Sequence, residues 1–393
     1  MIYLTKGGFW VSVKRTISVI TGLSLSSALA NLLPREMFGN YKFLLSAGGI
    51  LTAFSLTGMG VAVTQAVSQG YEGSVKKGLQ INLRWSVGMI VLSLGASLYY
   101  YINENNLLGT GFLILATTLP LIQSFNLAPA FLKGKKEFKK EAYYSLPRLI
   151  VPFIGLLIAV ILTDNPVILV LVYFVSQAII IISTYYYTLY KNKINDKINA
   201  RSINFSKHLS VMNILETVAG HVDKIMLFSM LGATPLAIYA FAVAPIRELR
   251  SLKTFFLTPA FPKLSQRPLN EFKKTLPYRM VLLFLILLML VGSYILLAPY
   301  IYRILFPLYT ESVLYSQVFS LTLLFMPIAI LKEALTAHLK KKELYIIKTT
   351  TPLLRISSIL ILLPLYGIWG VILAILLVYV INAITMIWLF KKL

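Results

Sequence analysis

Twelve apolar stretches, each near the length that crosses a bilayer, follow one another with only short polar connections between them. They lie near residues 9–33, 41–67, 80–102, 107–132, 146–163, 166–190, 208–231, 236–261, 278–301, 312–335, 346–363 and 367–390. About 20 apolar residues span the hydrocarbon core as a helix, and in that core only helices and closed barrels satisfy their own backbone. A soluble domain is nearer a quarter charged. This chain is 13% charged and 58% hydrophobic, so the stretches are too many to hide inside a water-soluble core. The pattern predicts an all-α polytopic membrane protein with twelve transmembrane helices. Pro147 and Pro152 in the fifth stretch and Pro327 in the tenth predict bends, which neighbouring helices in a membrane can accommodate.

The net charge of +23 raises the question of a nucleic-acid partner, whose footprint is a basic patch. Here the cations sit in short clusters between apolar stretches, which excludes nucleic acid and assigns the charge to topology and to anionic headgroups. Thirty of the 37 basic residues, among them Lys14, Arg15, Lys133, Arg148, Lys332 and Arg355, fall at the termini or in one alternating set of connections. The opposite set holds only Arg35, Lys42 and Arg303. Short loops rich in Lys and Arg stay cytoplasmic, so both termini are predicted on the cytoplasmic side of the plasma membrane.

Little in the chain suggests catalysis. It has no cysteine, which excludes disulfides and thiolate chemistry. No G-x-x-x-x-G-K-[ST] phosphate cradle is present, and His208, His221 and His338 share no metal-binding spacing. The exterior connections are short, the longest lying around Pro299–Glu311, and leave no room for a catalytic domain. The chain therefore reads as a protein that is not an enzyme and needs no cofactor.

The sequence also resembles itself. Leu33-Pro34-Arg35-Glu36-Met37-Phe38-Gly39-Asn40-Tyr41-Lys42-Phe43 reappears 198 residues later as Leu231-Gly232-Ala233-Thr234-Pro235-Leu236-Ala237-Ile238-Tyr239-Ala240-Phe241. The shared pattern is Leu, a turn, an apolar residue, Gly or Ala, then Tyr-x-Phe. A second echo sets Phe131-Leu132-Lys133-Gly134-Lys135-Lys136-Glu137 against His338-Leu339-Lys340-Lys341-Lys342-Glu343. Duplication predicts two six-helix bundles, residues 1–200 and 201–393, related by a parallel pseudo-two-fold axis along the membrane normal. Transporters built from such repeats hold their substrate between the halves.

The stretch Leu33–Tyr41, followed by Gln69-Gly70-Tyr71-Glu72-Gly73, resembles the start of polysaccharide-unit exporters. Val222-Asp223-Lys224-Ile225-Met226-Leu227, then Leu231-Gly232 and Tyr239-Ala240, resembles their second half. These are O-antigen flippases of the Wzx type, within the multidrug/oligosaccharidyl-lipid/polysaccharide (MOP) exporter superfamily that also holds the MATE transporters. One departure is Ala237, where Gly is usual. The resemblance implies alternating access and a polyprenyl-diphosphate-linked oligosaccharide as cargo. It also implies membrane lipids and other polysaccharide-assembly membrane proteins as partners, and leaves coupling to Na+ or H+ open.

Residues 208–253 carry the candidate site. Charge at membrane depth is costly and marks a pathway or a binding site by default. Asn213, Glu216, Gly220 and Asp223 follow i, i+3, i+7, i+10 spacing and share one helix face. Glu216 or Asp223 could bind a coupling ion, or Asp223 could be held in a structural ion pair by a cation on a neighbouring helix. Arg247 lies about 18 Å into the eighth helix at 1.5 Å per residue, near the midplane, and Arg250 and Lys253 continue a basic stripe. Guanidinium grips phosphate oxygens in pairs, so the stripe suits a diphosphate. For Arg247 the alternative is a salt bridge to Glu216, Asp223 or Glu248, and for Lys253 it is snorkelling to the interface. Arg15 is a candidate for the inner mouth of the cavity, while His221 and Lys224 are given no role. The first-half counterpart of this helix pair carries Lys14, Arg15 and Lys42 but no acid within its helices, so the acids Glu216, Asp223 and Glu248 are a property of the second half alone.

Two other functions fit the same chain. An ion-coupled multidrug exporter would share the architecture but prefer an acidic cavity. A membrane glycosyltransferase or ligase would need clustered exterior acids, and Glu36, Glu104, Asp164 and Glu311 stand apart.

Overall fold

The computed structural model describes residues 2–192, 194–251, 269–337 and 340–392, with the backbone alone for residues 2–12, 15, 269–277, 337, 341 and 391. Among the described residues there are helices and no strands. In chain order they are α1 (Ile2–Leu32), α2 (Arg35–Leu51), α3 (Met59–Ser68), α4 (Ser74–Trp85), α5 (Val87–Ile102), α6 (Asn106–Phe125), α7 (Ala128–Gly134), α8 (Phe138–Leu162) and α9 (Pro166–Lys191). They continue with α10 (Ala200–Leu231), α11 (Ala233–Ser251), α12 (Leu269–Leu305), α13 (Ser312–Ser320), α14 (Ile328–Ala337), α15 (Lys341–Tyr366) and α16 (Ile368–Lys392).

Counted as spans, these elements correspond to the twelve apolar stretches. Seven are long and apolar enough to cross a membrane by themselves, two of them formed by consecutive helices, α4 with α5 and α6 with α7. The pairs α2–α3 and α13–α14 each make one further bent span, kinked by 55° and 42°. The remaining three are α1, α10 and α11. The charges of α10 and α11 separate them from ordinary membrane helices, and those charges form part of the candidate site. Pro327 sits at the α13–α14 bend, as its place in the sequence predicts.

Contacts divide the chain into two compact units, Met1–His221 and Val222–Leu393, so the boundary falls inside α10. In unit 1, α1 packs on α8, α8 on α9, α9 on α6, and α6 on α5. The bend between α2 and α3 exposes backbone that a lipid environment would leave unpaired, and α10 covers it. The Gly58 N–H donates to Ser210 Oγ at 2.9 Å, and Asn213 Nδ2 donates to Thr57 Oγ1 at 3.3 Å. Gly58 is required there, since a Cβ would lie 2.7 Å from both Leu209 Cβ and the Ser206 carbonyl oxygen. Asn213, on the polar face of α10, thus serves this bend.

The connection between α9 and α10 is pinned to the α3–α4 turn. Asn195 Nδ2 donates to the Gly70 carbonyl at 2.9 Å, the Asn199 N–H donates to Ser74 Oγ at 3.0 Å, and Asn199 Nδ2 reaches Gln69 Oε1 at 3.0 Å. Glu72 pairs with Lys135 in the same place. The Gln69–Gly73 motif is therefore an anchoring surface.

In unit 2, α11 packs on α13, α12 on α13, and α15 on α16. Gly232 ends α10 with φ +91°, a conformation that costs glycine nothing extra. The repeated Tyr-x-Phe then enters the core in both units. Tyr41 and Phe43 are buried in one, Tyr239 and Phe241 in the other. Phe241 meets Tyr309 at 4.1 Å between ring centroids, and its carbonyl accepts from Tyr302 Oη at 2.8 Å. Aromatic side chains bury large areas with preferred geometry, which accounts for this part of the repeat.

Candidate functional site

Asp223 on α10 is 2% exposed, and four contacts surround its carboxylate. Tyr239 Oη donates to Oδ2 at 2.6 Å. Lys224 Nζ lies 3.2 Å from both oxygens, and Arg355 Nη2 of α15 lies 3.3 Å from Oδ2. A buried carboxylate without such partners would be strongly destabilising. The arrangement is the ion pair with a cation on a neighbouring helix that the sequence allowed for. It also gives Lys224 a role the sequence reading withheld.

Arg355 corrects that reading more substantially. The charge pattern places it among the cytoplasmic loop cations, yet it lies roughly 21 Å from the start of α15 at the helical rise. The signal was available, because Arg355 sits in the middle of the apolar stretch 346–363. Glu216, in contrast, is exposed on α10, with no hydrogen bond or ion pair among the described residues.

The stripe of cations on α11 divides on inspection. Arg247 has a side chain 60% exposed and pairs with Glu248 at 3.6 Å, one of its foreseen alternatives. Arg250 turns into unit 2. Its Nη1 donates to Tyr379 Oη at 2.6 Å, its Nη2 donates to Thr322 Oγ1, and its guanidinium lies 4.9 Å from the Tyr379 ring centroid. Lys253 lies outside the described residues, as does the side chain of Arg15. Arg250 and Arg355 both line a cavity of about 230 Å³ within unit 2.

A second polar centre occupies unit 1. Its cavity, of about 960 Å³, is walled by α1, α3, α7, α8 and α9. Glu141, in the first turn of α8 and 3% exposed, binds Lys14 Nζ at 2.8 Å and accepts from Ser145 Oγ at 3.3 Å. Lys133 Nζ stands 4.0 Å away. An acid in the first turn also meets the positive end of the helix dipole. Arg148 Nη1 donates to Asn126 Oδ1 at 2.6 Å on the same wall.

Glu141 gives the first half a buried acid as well, on α8 and outside the helix pair that corresponds to α10 and α11. Arg148 joins Arg355 as a supposed loop cation found within a helix, roughly 15 Å into α8. Among the described residues no group of three His, Asp or Glu side chains could hold a metal ion.

Comparisons with known proteins fall in line with this architecture. The family described as "Polysaccharide biosynthesis protein" matches residues 4–267, more than half of the chain. No curated protein matches it in sequence. Among solved structures, a lipid II flippase, MurJ, in an inward closed conformation superposes with a TM-score of 0.74 at 16% identity, over 97% of this chain and 87% of that one. An outward-facing multidrug resistance MATE family transporter of the MOP superfamily gives 0.68 at 15% identity, over 99% and 95%. A MOP superfamily transporter from Pyrococcus furiosus Vc1, described as having a binding pocket of reversed polarity, gives 0.56 at 14% identity, over 99% and 95%. At such identities the likeness is one of fold, the twelve-helix, two-bundle fold that the sequence predicted.

Proposed function

Because the chain belongs to the polysaccharide biosynthesis protein family, we propose that it is a flippase. Its cargo is a polyprenyl-diphosphate-linked oligosaccharide, carried across the cytoplasmic membrane by alternating access. The observation that carries this reading is the wall of the unit 1 cavity. Lys14, Lys133 and Arg148 face it with Glu141 as the one acid among the described residues, and amides such as Gln65, Asn126 and Gln177 stand beside the hydroxyls of Thr57, Thr64, Ser68 and Ser145. Amides and hydroxyls both donate and accept, as sugar hydroxyls do. Lysine and arginine supply the charge that a diphosphate requires.

Within unit 2, Arg247 is exposed on α11 and is a candidate for phosphate contact in its own right, as the sequence suggests also for Arg15 and Lys253. For coupling to Na+ or H+, Glu216 is the acid we put forward, since the oxygens of Asp223 are already engaged by cations. The many basic residues in alternating connections support termini on the cytoplasmic side.

Reconstituted in liposomes, the protein is expected to move a labelled polyprenyl-diphosphate oligosaccharide between leaflets, and no movement above empty liposomes overturns the assignment. Arg247→Ala is expected to reduce flipping by about tenfold, the worth of one charge-assisted contact, without lowering protein abundance. Equal loss of both would make Arg247 structural. Export of amphipathic drugs is the second reading, favoured by the fold shared with multidrug transporters. A wall of three cations and one acid repels cationic drugs, so a resistance assay separates the two.

A further inference from the structure

The small cavity of unit 2 is lined by donors. Arg250 has both terminal nitrogens on neutral hydroxyls, Tyr379 and Thr322, and no carboxylate partner among the described residues. Its Nε is buried and without an acceptor, and so is the Nε of Arg355. Lys332 adds an ammonium to the same wall. The carbonyl oxygen of Asn382 accepts from Thr351 Oγ1 at 3.3 Å, which leaves the Asn382 amide NH₂ as a donor. Tyr379 Oη, having accepted from Arg250, has its own proton to give.

Among the described residues no carboxylate lines this cavity. Asp223, the buried acid nearby, is shared between Arg355 and Lys224 and does not offset the charge of Arg250. Buried guanidinium groups left short of acceptors are unfavourable. A ligand that only accepts hydrogen bonds and carries negative charge would resolve both the charge and the unmet donors.

We infer that this cavity is a binding site for a phosphate-type oxyanion, with Arg250 and Arg355 as its principal ligands and Asn382, Tyr379 and Lys332 completing it. A volume of about 230 Å³ corresponds to about eight waters at roughly 30 Å³ each. That admits a phosphate or diphosphate group and is too small to enclose an oligosaccharide. The site stands on this cavity alone. Its ligand is either a free anion or the head of a lipid phosphate, and only the latter case rests on the proposed cargo.

The test uses the full chain in phosphatidylcholine nanodiscs, titrated with inorganic phosphate and then diphosphate, and read by calorimetry and thermal shift. Saturable binding and a raised melting temperature are expected. Arg250→Lys and Arg355→Lys, which keep the charge but lose the Nε–H, are expected to weaken binding by about 10- to 100-fold, the worth of a charge-assisted hydrogen bond. Their melting temperatures without anion serve as the folding control, with Arg250→Gln as a second variant.

Absence of saturable binding of either anion overturns the site, as does binding that neither substitution changes. Adding polyprenyl monophosphate to the nanodiscs, with neutral polyprenol as the control, identifies the source. Displacement of free phosphate by the lipid assigns the site to a headgroup, and undisturbed binding assigns it to a soluble anion; both outcomes support the site. Anion binding by a protein that flips no lipid-linked glycan retains the site and removes the cargo reading. Flipping without anion binding does the reverse.

Discussion

Among the described residues the two units each bury one carboxylate among cations, and they do so in opposite ways. Asp223 in unit 2 is ringed at short range by Lys224, Arg355 and Tyr239, whose contacts leave little of it for a ligand or an ion. Glu141 in unit 1 is equally buried, but its partners stand on the wall of a large cavity with side chains 30% and 50% exposed, Lys14 and Lys133. A lysine ammonium is a mobile point charge, while an arginine fork is fixed in direction. The second arrangement can exchange partners with an incoming anion, and the first serves to hold α10, α11 and α15 together.

This contrast predicts a ranking of substitutions. Asp223→Ala leaves two cations facing each other in a buried setting, and such a loss costs about 3–5 kcal/mol. It should appear as poor expression or as a large fall in the melting temperature of detergent-solubilised protein. A well-folded Asp223→Ala variant would dissolve the contrast. Tyr239→Phe removes one hydrogen bond to a charged group and is expected to cost about 1.5–3 kcal/mol by the same measurement. Glu141→Gln should cost about 1 kcal/mol or less, because its lysine partners are partly solvated. Its larger effect is expected on flipping rate at unchanged abundance. If Glu141→Gln destabilises as much as Asp223→Ala, the two centres are both structural.

Much of this fold was legible in the sequence, because bilayer-length apolar stretches leave few alternatives. The apolar stretches located the spans but not their ends. The stretches at 208–231 and 278–301 belong to helices that begin at Ala200 and Leu269. Hydrophobicity marks the part of a helix that meets lipid, and the polar turns beyond it are helical for local reasons. The bend at Thr57 and Gly58 was not read, since its partners Ser210 and Asn213 are distant in sequence.

The site was legible in part. Asp223 was foreseen as one half of an ion pair, because a lone acid in an apolar helix needs a partner. Arg355 was missed as its other half, and Glu141 and Arg148 were missed as a site, for one reason. Each had been absorbed into the positive-inside pattern or the loops, and that pattern counts charges without asking how deep they lie. Arg355, in the middle of an apolar stretch, shows that depth within a stretch decides whether a cation belongs to a loop or to the interior.

The seat of α10 on the α2–α3 bend bears on the order in which the chain is made. Six spans emerge from the ribosome before α10 does, and until then the Gly58 N–H has no Ser210 to meet. In a bilayer an unmet backbone donor costs several kcal/mol. The first bundle thus waits, unfinished, for the opening helix of the second. A chain stopped near residue 200 would be a substrate for quality-control proteases, whereas one carried on to His221 would contain its own last piece.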